Sequence, residues 1–255
     1  MRLTVIGKKK VLSLVALVSA LIVSVVLLGS TGAYTVFYGG NLRKLPIYSV
    51  ETDQKKVAIS FDCAWGVDYT DTLLDIMENE GVKCTFFMVE FWTKKYPEFV
   101  KKIDQKGHEI GTHSATHPYM SKLGYDAIKK ELLTSSQAIT DITGKKVEVF
   151  RPPYGDYDDL LIDTAYELGL YTVQWDVDSL DWKDLSATEI SNRVVTRVKN
   201  GSIVLFHYNG LHTAKALPLI ISALKREGYE FVPIGELIYR DNYRMAVDGR
   251  QIKNV

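Results

Sequence analysis

Net charge, cysteine and nucleotide-binding glycine turns are what this chain lacks. Its 255 residues carry 31 Lys and Arg against 31 Asp and Glu, so the formal charge is zero. A balanced composition gives no electrostatic footprint for nucleic acid, and no such partner is expected. The only cysteines are Cys63 and Cys84, too few for a disulfide-stapled fold. No repeat or low-complexity linker divides the chain. No G-x-G-x-x-G turn follows the first strand, which argues against a dinucleotide fold. The H-E-x-x-H pattern of zinc proteases is also missing. Ser114 stands where that motif carries its general base, in His113-Ser114-Ala115-Thr116-His117. What remains is two histidines four apart, a spacing that puts both imidazoles on one face of a helical turn, where one metal ion can bind both.

The N-terminus reads as an export segment. Arg2, Lys8, Lys9 and Lys10 precede an uncharged run over residues 11–29. At about 1.5 Å per residue that run spans ~28 Å, close to a bilayer core. The basic flank places the N-terminus in the cytoplasm and the rest outside. An uncleaved anchor is the favoured reading. A signal peptide cleaved at Thr31-Gly32-Ala33 is the alternative. The expected division is an anchor or signal over 1–33, a tether over 34–54, one domain over 55–240 and a polar, loosely held tail over 241–255.

Within the domain, apolar strands alternate with amphipathic helices. Strands are expected at 57–61, 84–89, 108–111, 147–150, 170–175, 203–206 and 229–232. Helices are expected at 70–80, 97–106, 125–143, 159–168, 187–199 and 214–227, several of them ending at a glycine. Buried strands in this alternation predict a parallel α/β sheet or barrel, here a distorted (β/α)7 barrel. Cys63 would end the first strand and Cys84 begin the second. In parallel neighbours they would stand over about 12 Å apart, beyond the ~7 Å reach of a disulfide.

Active sites of such barrels gather where strands end. Here those ends carry Asp62-Cys63, then His113 and His117, then Arg151-Pro152-Pro153-Tyr154, then Asp178-Ser179-Leu180-Asp181-Trp182, then Leu205-Phe206-His207. Each has an ordinary reading as well. Asp62 could cap the helix near Tyr69, Arg151 could form a plain ion pair, and Asp176 and Asp178 could cap loops. His108 and His212 fall outside these groups and read as surface or structural.

Taken in order, these segments resemble the motifs of the polysaccharide deacetylase (NodB-homology, carbohydrate esterase family four) family over residues 55–240. Ser60-Phe61-Asp62-Cys63 resembles its T-F-D-D motif, and the histidine pair its H-S/T-x-x-H motif. Phe61-Asp62-Cys63-Ala64-Trp65-Gly66 resembles the PdaB-type sporulation subgroup of Gram-positive spore formers. The resemblance implies a NodB-type barrel that removes acetyl groups from cell-wall glycan, peptidoglycan-like and linked to sporulation, outside the membrane and as a monomer. It implies Asp62 as base, Arg151 as its partner, His207 as acid and Asp181 as the support of His207. His113 and His117 would hold a divalent metal, with zinc preferred and cobalt an alternative. Tyr154, through its backbone N–H, would meet the oxyanion, and Trp182 and Leu205 would pack on the acetyl methyl.

One position departs from the family. Cys63 replaces the second aspartate, which ligates the metal in family members. Three outcomes stay open: Cys63 ligates as a thiolate, the two histidines bind metal weakly with water, or the site holds no metal and the protein only binds glycan or serves spore-wall assembly.

Overall fold

The computed structural model describes residues 17–19 and 43–254. The predicted export segment lies outside the described residues, apart from 17–19. Among the described residues no helix is long and apolar enough to cross a membrane.

Residues 44–254 form an α/β domain around one sheet. Its strands are β1 (Ser49–Val50), β2 (Lys56–Cys63), β3 (Thr85–Met88), β4 (Glu109–Thr112), β5 (Val149–Phe150), β6 (Tyr171–Thr172), β7 (Val177–Asp178), β8 (Ser202–His207), β9 (Glu230–Phe231), β10 (Tyr243–Met245) and β11 (Arg250–Lys253). The helices are α1 (Thr70–Asn79), α2 (Glu90–Lys95), α3 (Pro97–Gln105), α4 (Tyr125–Thr143), α5 (Asp159–Glu167), α6 (Ala187–Val195), α7 (Thr213–Arg226) and α8 (Ile234–Leu237). The sheet runs β10-β11-β1-β8-β2-β3-β4-β5-β6, with β7 beside β8 and β9 beside β2. From β8 to β6 the pairs are parallel.

The sheet curls back on itself through one seam. Ile47 bridges Val173 in parallel. Its N–H donates to Thr172 O (2.9 Å) and its carbonyl accepts from Gln174 N–H (2.7 Å). The expected distorted α/β barrel is therefore present with a different membership. The segment at 229–232 pairs only with the start of β2, at Lys56 and Val57. The place beside β8 is taken by β1, which lies in the region read as a tether and runs antiparallel to β8.

The region read as a loose tail is also part of the sheet. β10 and β11 form a hairpin, and β11 pairs with β1. The turn is set by Asp248-Gly249, a dipeptide suited to positive φ. Gly249 has φ 78°, and a β-carbon there would lie 2.2 Å from the Tyr48 ring. Both errors have one cause. Strands of two to four residues carry no readable period.

The period-two alternation of β2 divides the core. Val57, Ile59, Phe61 and Cys63 face the helix-side cluster, while Ala58 belongs to the inner cluster with Ile47, Phe87, Val149, Val173 and Ile203. Ser60 and Asp62 share the parity of Ala58. Ser60 is buried and donates to Val204 O (2.8 Å), which leaves Asp62 as the inward polar group at the strand's C-terminal end.

His108 is buried and stands edge-on to Phe86. Its Nδ1 accepts from the Cys84 N–H (3.4 Å), and its Nε2 has no partner. Burial pushes its pKa down from 6.5 to about 4. The unfolded chain therefore takes up a proton as pH falls through 6.5, while the folded chain does not until about pH 4. The stability lost across that window is about 3 kcal/mol at most. His108→Asn keeps an acceptor for Cys84 but removes the titration. Urea melts from pH 7 to 4 should show a shallower acid-side decline than wild type, and parallel curves would refute this assignment.

Candidate active site

Strand register assembles the site. Asp62 pairs with His207 across β2 and β8. Cys63 pairs with Met88, Met88 with Thr112, and Thr112 with Phe150. The next residues along β4 and β5 are His113 and Arg151, so both reach the same rim as Asp62 and His207. They meet at a cavity of about 480 Å³ whose lining includes Asp62, His113, His117, Tyr154, Trp182, Leu205 and His207. Arg151 lies beneath this surface and Asp181 behind His207.

Arg151 is fully buried. Its Nη1 donates to Asp62 Oδ1 (2.9 Å) and its Nη2 to Gln174 O (3.1 Å). The guanidinium lies 4.2 Å from the Phe87 ring centroid and 5.6 Å from that of Trp175. Burial of Asp62 opposes ionisation. The charges of Arg151, then His113 and His207, outweigh it and hold the carboxyl below its ordinary range. Asp62 caps no helix, since α1 has Tyr69 as its N-cap without a side-chain bond.

His207 is oriented by Asp181. Its Nδ1–H donates to Asp181 Oδ1 (2.9 Å) and its backbone N–H to Oδ2 (2.8 Å). Thr213 Oγ1 donates to the same Oδ2 (2.7 Å). Burial alone would lower the His207 pKa, but the bond and charge of Asp181 raise it overall. Gly210 makes this packing feasible, because a β-carbon there would lie 2.2 Å from Thr213 Oγ1 and 3.0 Å from Asp181 Oδ2.

The histidine pair is held from outside the motif. His113 Nδ1–H donates to Arg151 O (2.7 Å), so its Nε2 keeps its lone pair, 3.6 Å from Asp62 Oδ2. His117 lies edge-on to His113 at 4.9 Å, with its Nδ1 buried and unpartnered. Burial lowers both pKa values, that of His117 to about 4, which favours the neutral form of each ring. Glu131 of α4 accepts the Ala115 and Thr116 N–H groups (2.8 Å each) and the Thr116 hydroxyl (2.7 Å). Ser114 Oγ accepts from His117 N–H (3.0 Å). Sequence reading missed Glu131 because it stands 14 residues beyond His117 in the middle of a helix. It gave no site role to Trp65, Trp175 or Asn209, which line the cavity, while Asp178 does so and closes its own turn with Leu180 N–H (2.8 Å).

Cys63 is not with the histidines. It follows Asp62 on a continuous strand, so its side chain points to the opposite face. The sulfur is buried in the helix-side core and lies 3.8 Å from Phe61 O. Burial, then the Asp62 charge, push its thiol well above the ordinary range, the reverse of what a thiolate ligand needs. Both cysteines are free, as the strand spacing predicts. Two neutral imidazoles with available nitrogens fit a divalent ion. No group of three His, Cys, Asp or Glu side chains placed to hold one occurs among the described residues.

Comparison with known proteins gives the family. The family model described as polysaccharide deacetylase matches residues 49–173. A peptidoglycan-N-acetylglucosamine deacetylase of Bacillus cereus is 35% identical over 196 residues, which cover 75% of this chain and 92% of that protein. The chain belongs to the polysaccharide deacetylase family. An uncharacterized Bacillus subtilis protein, YlxY, is 35% identical over 78% of this chain, and the match spans 62% of its length. For the Listeria monocytogenes peptidoglycan-N-acetylglucosamine deacetylase PgdA the figures are 34%, 76% and 41%. Among solved structures, BA3943 of Bacillus anthracis, described as a CE4 family pseudoenzyme, superposes with a TM-score of 0.73 at 32% identity over 82% of this chain and 73% of its own. A mutant of that protein, described as having restored enzymatic activity, scores 0.73 at 35% identity, over 80% and 72%.

Two outcomes follow from the geometry. Arg151→Leu leaves a buried carboxylate without its cation and should cost about 3–5 kcal/mol in urea unfolding. Adding Asp62→Asn should recover part of that loss, and additive losses would contradict the pairing. In zinc titration calorimetry, Cys63→Ala should bind as wild type does and His113→Ala should lose binding. A Cys63→Ala variant that loses zinc would place the thiol in the site after all.

Proposed function

We propose that this chain removes acetyl groups from an N-acetylated cell-wall glycan of the peptidoglycan type. The observation that carries this is the opposed pair of supported groups on neighbouring strand ends. Arg151 favours the ionised form of Asp62, and Asp181 favours the protonated form of His207. Environments that drive two groups apart in this way assign the base and the acid.

Asp62 takes a proton from the water that attacks the acetyl carbonyl. As the C–N bond breaks, His207 Nε2 gives a proton to the departing amine, leaving acetate and a free amino sugar. Tyr154, at φ 58°, lines the cavity, and its backbone N–H is the proposed oxyanion contact. Trp182 and Leu205 flank the acetyl methyl. His113 and His117 would hold a divalent ion, zinc in this reading, which when bound polarises the carbonyl and the water. An N-terminal anchor would keep the domain outside the membrane, a reading supported by the uncharged run 11–29 behind three lysines. The sporulation link rests on the resemblance at residues 61–66.

Cys63 favours a second reading, a glycan-binding protein without turnover. The third protein ligand is missing, and BA3943, the structural neighbour described above, is called a pseudoenzyme. Acetate release separates the two. With zinc and an N-acetylated wall glycan, the full chain should release acetate, Asp62→Asn should abolish release, and His207→Ala should lower it about 10²–10⁴-fold. The rate should fall as pH rises through the elevated His207 pKa. Asp181→Asn should move that alkaline limb to lower pH. No acetate from any wall glycan at saturating zinc would leave the binding reading standing.

A further inference from the structure

The turn that carries the histidine pair is held in a conformation its residues do not favour. Ser114 has φ 72° and His117 φ 60°, both in the left-handed region that residues with a β-carbon rarely adopt. Such a turn persists only where its surroundings over-determine it. Here the surroundings include one face of α4. Glu131 accepts the successive N–H groups of Ala115 and Thr116 on Oε2 and the Thr116 hydroxyl on Oε1. Successive amides beside a left-handed residue form a concavity suited to an anion, and a carboxylate of the same chain fills this one. One helical turn further on, Ser135 is buried, with its hydroxyl 2.5 Å from that of Thr112. Thr112 Oγ1 in turn accepts the Ser114 N–H (3.3 Å). Positions i and i+4 of one helix face therefore grip the middle and the start of the turn.

The two histidines differ in what fixes them. His113 is oriented through its own ring, by the bond from Nδ1 to Arg151 O. His117 Nδ1 is buried without a partner, and its ring meets Trp65, His113 and Tyr154 edge-on. Metal-binding histidines ordinarily take their orientation from a hydrogen bond on the other ring nitrogen. For His117 the backbone of the turn has to supply it. The bond from His117 N–H to Ser114 Oγ lies within the turn and moves with it. From outside the turn, the Glu90 N–H holds the Ser114 carbonyl (3.1 Å), and Glu131 holds residues 115 and 116, the two that lead into His117.

We infer that Glu131 is a positioning residue for the histidine pair: through the turn it fixes His117 against His113 and so sets how tightly the two hold a divalent ion. The inference rests on the reading of His113 and His117 as the metal-binding residues. Cys63 is turned into the helix-side core, so two side chains carry that task. A preorganised pair loses less on binding than a mobile one, and with few ligands that difference weighs more.

Zinc titration calorimetry on the full chain tests this. Glu131→Ala should weaken zinc binding about 10- to 100-fold. Glu131→Gln keeps an oxygen for the two N–H groups and should recover most of that loss. Melting temperatures of the zinc-free variants complete the comparison, since a residue that only stabilises the fold would lower them and leave the zinc affinity of the folded protein in place. If the alanine variant does not fold, Glu131→Asp, whose carboxylate is one methylene short of the turn, replaces it under the same criteria. Wild-type zinc affinity in the folded alanine variant overturns the assignment. So does a glutamine variant that binds as weakly as the alanine one, or a wild-type chain that takes up no zinc. Acetate release is read separately. Zinc binding that depends on Glu131 without acetate defeats turnover alone, and acetate release with a zinc affinity indifferent to Glu131 defeats the positioning role alone.

Discussion

The site depends on the ion pair between Arg151 and Asp62 in the mouth of the barrel. Removing a guanidinium and a carboxylate from water is costly, and attraction alone does not reliably repay it. Here Nη2 of the cation also finds the Gln174 carbonyl and its faces meet Phe87 and Trp175, while its buried Nε has no partner. The pair draws β2, β5 and the end of β6 onto one point. It also fixes the histidines indirectly, since the carbonyl of Arg151 selects the tautomer of His113. One residue therefore favours the ionised form of Asp62 and orients the first imidazole.

Much of this was legible in the sequence. The helix over 125–143 has the bounds its pattern predicts, and six of the seven expected strands belong to the ring. The polar residues singled out at strand ends lie at or directly behind the cavity, except Cys63 and Asp176, which accepts from Ser202 Oγ and the Ile203 N–H at the other end of β8. These positions are readable because a strand end is marked by a change from apolar to polar residues. Very short strands lack that signal. β1, β7 and the closing hairpin went unseen for this reason, although Asp248-Gly249 marked the hairpin turn. Glu131 was hidden for another reason. A glutamate in mid-helix reads as a solvated face, and only tertiary packing brings it under the histidine turn.

Cys63 shows the limit of matching motifs residue by residue. The family pattern places a ligand at that position, but a strand's alternation depends on where the strand ends, not on the letter. In this chain β2 continues through Cys63, and the thiol completes the apolar row of Val57, Ile59 and Phe61. Asp62 and His207 keep their supporting partners while Cys63 lies outside the cavity, so the proposed proton-transfer pair and the proposed metal ligands rest on separable parts of the rim.

The adjacency of His207 and Tyr208 carries one more consequence. His207 is the proposed proton donor, and Tyr208 holds the wall that carries Trp65. Their side chains point opposite ways from the end of β8 onto one loop. One strand end thus fixes both the imidazole inside the cavity and the backbone of Trp65 at its rim, so a shift in the register of β8 would displace the two together.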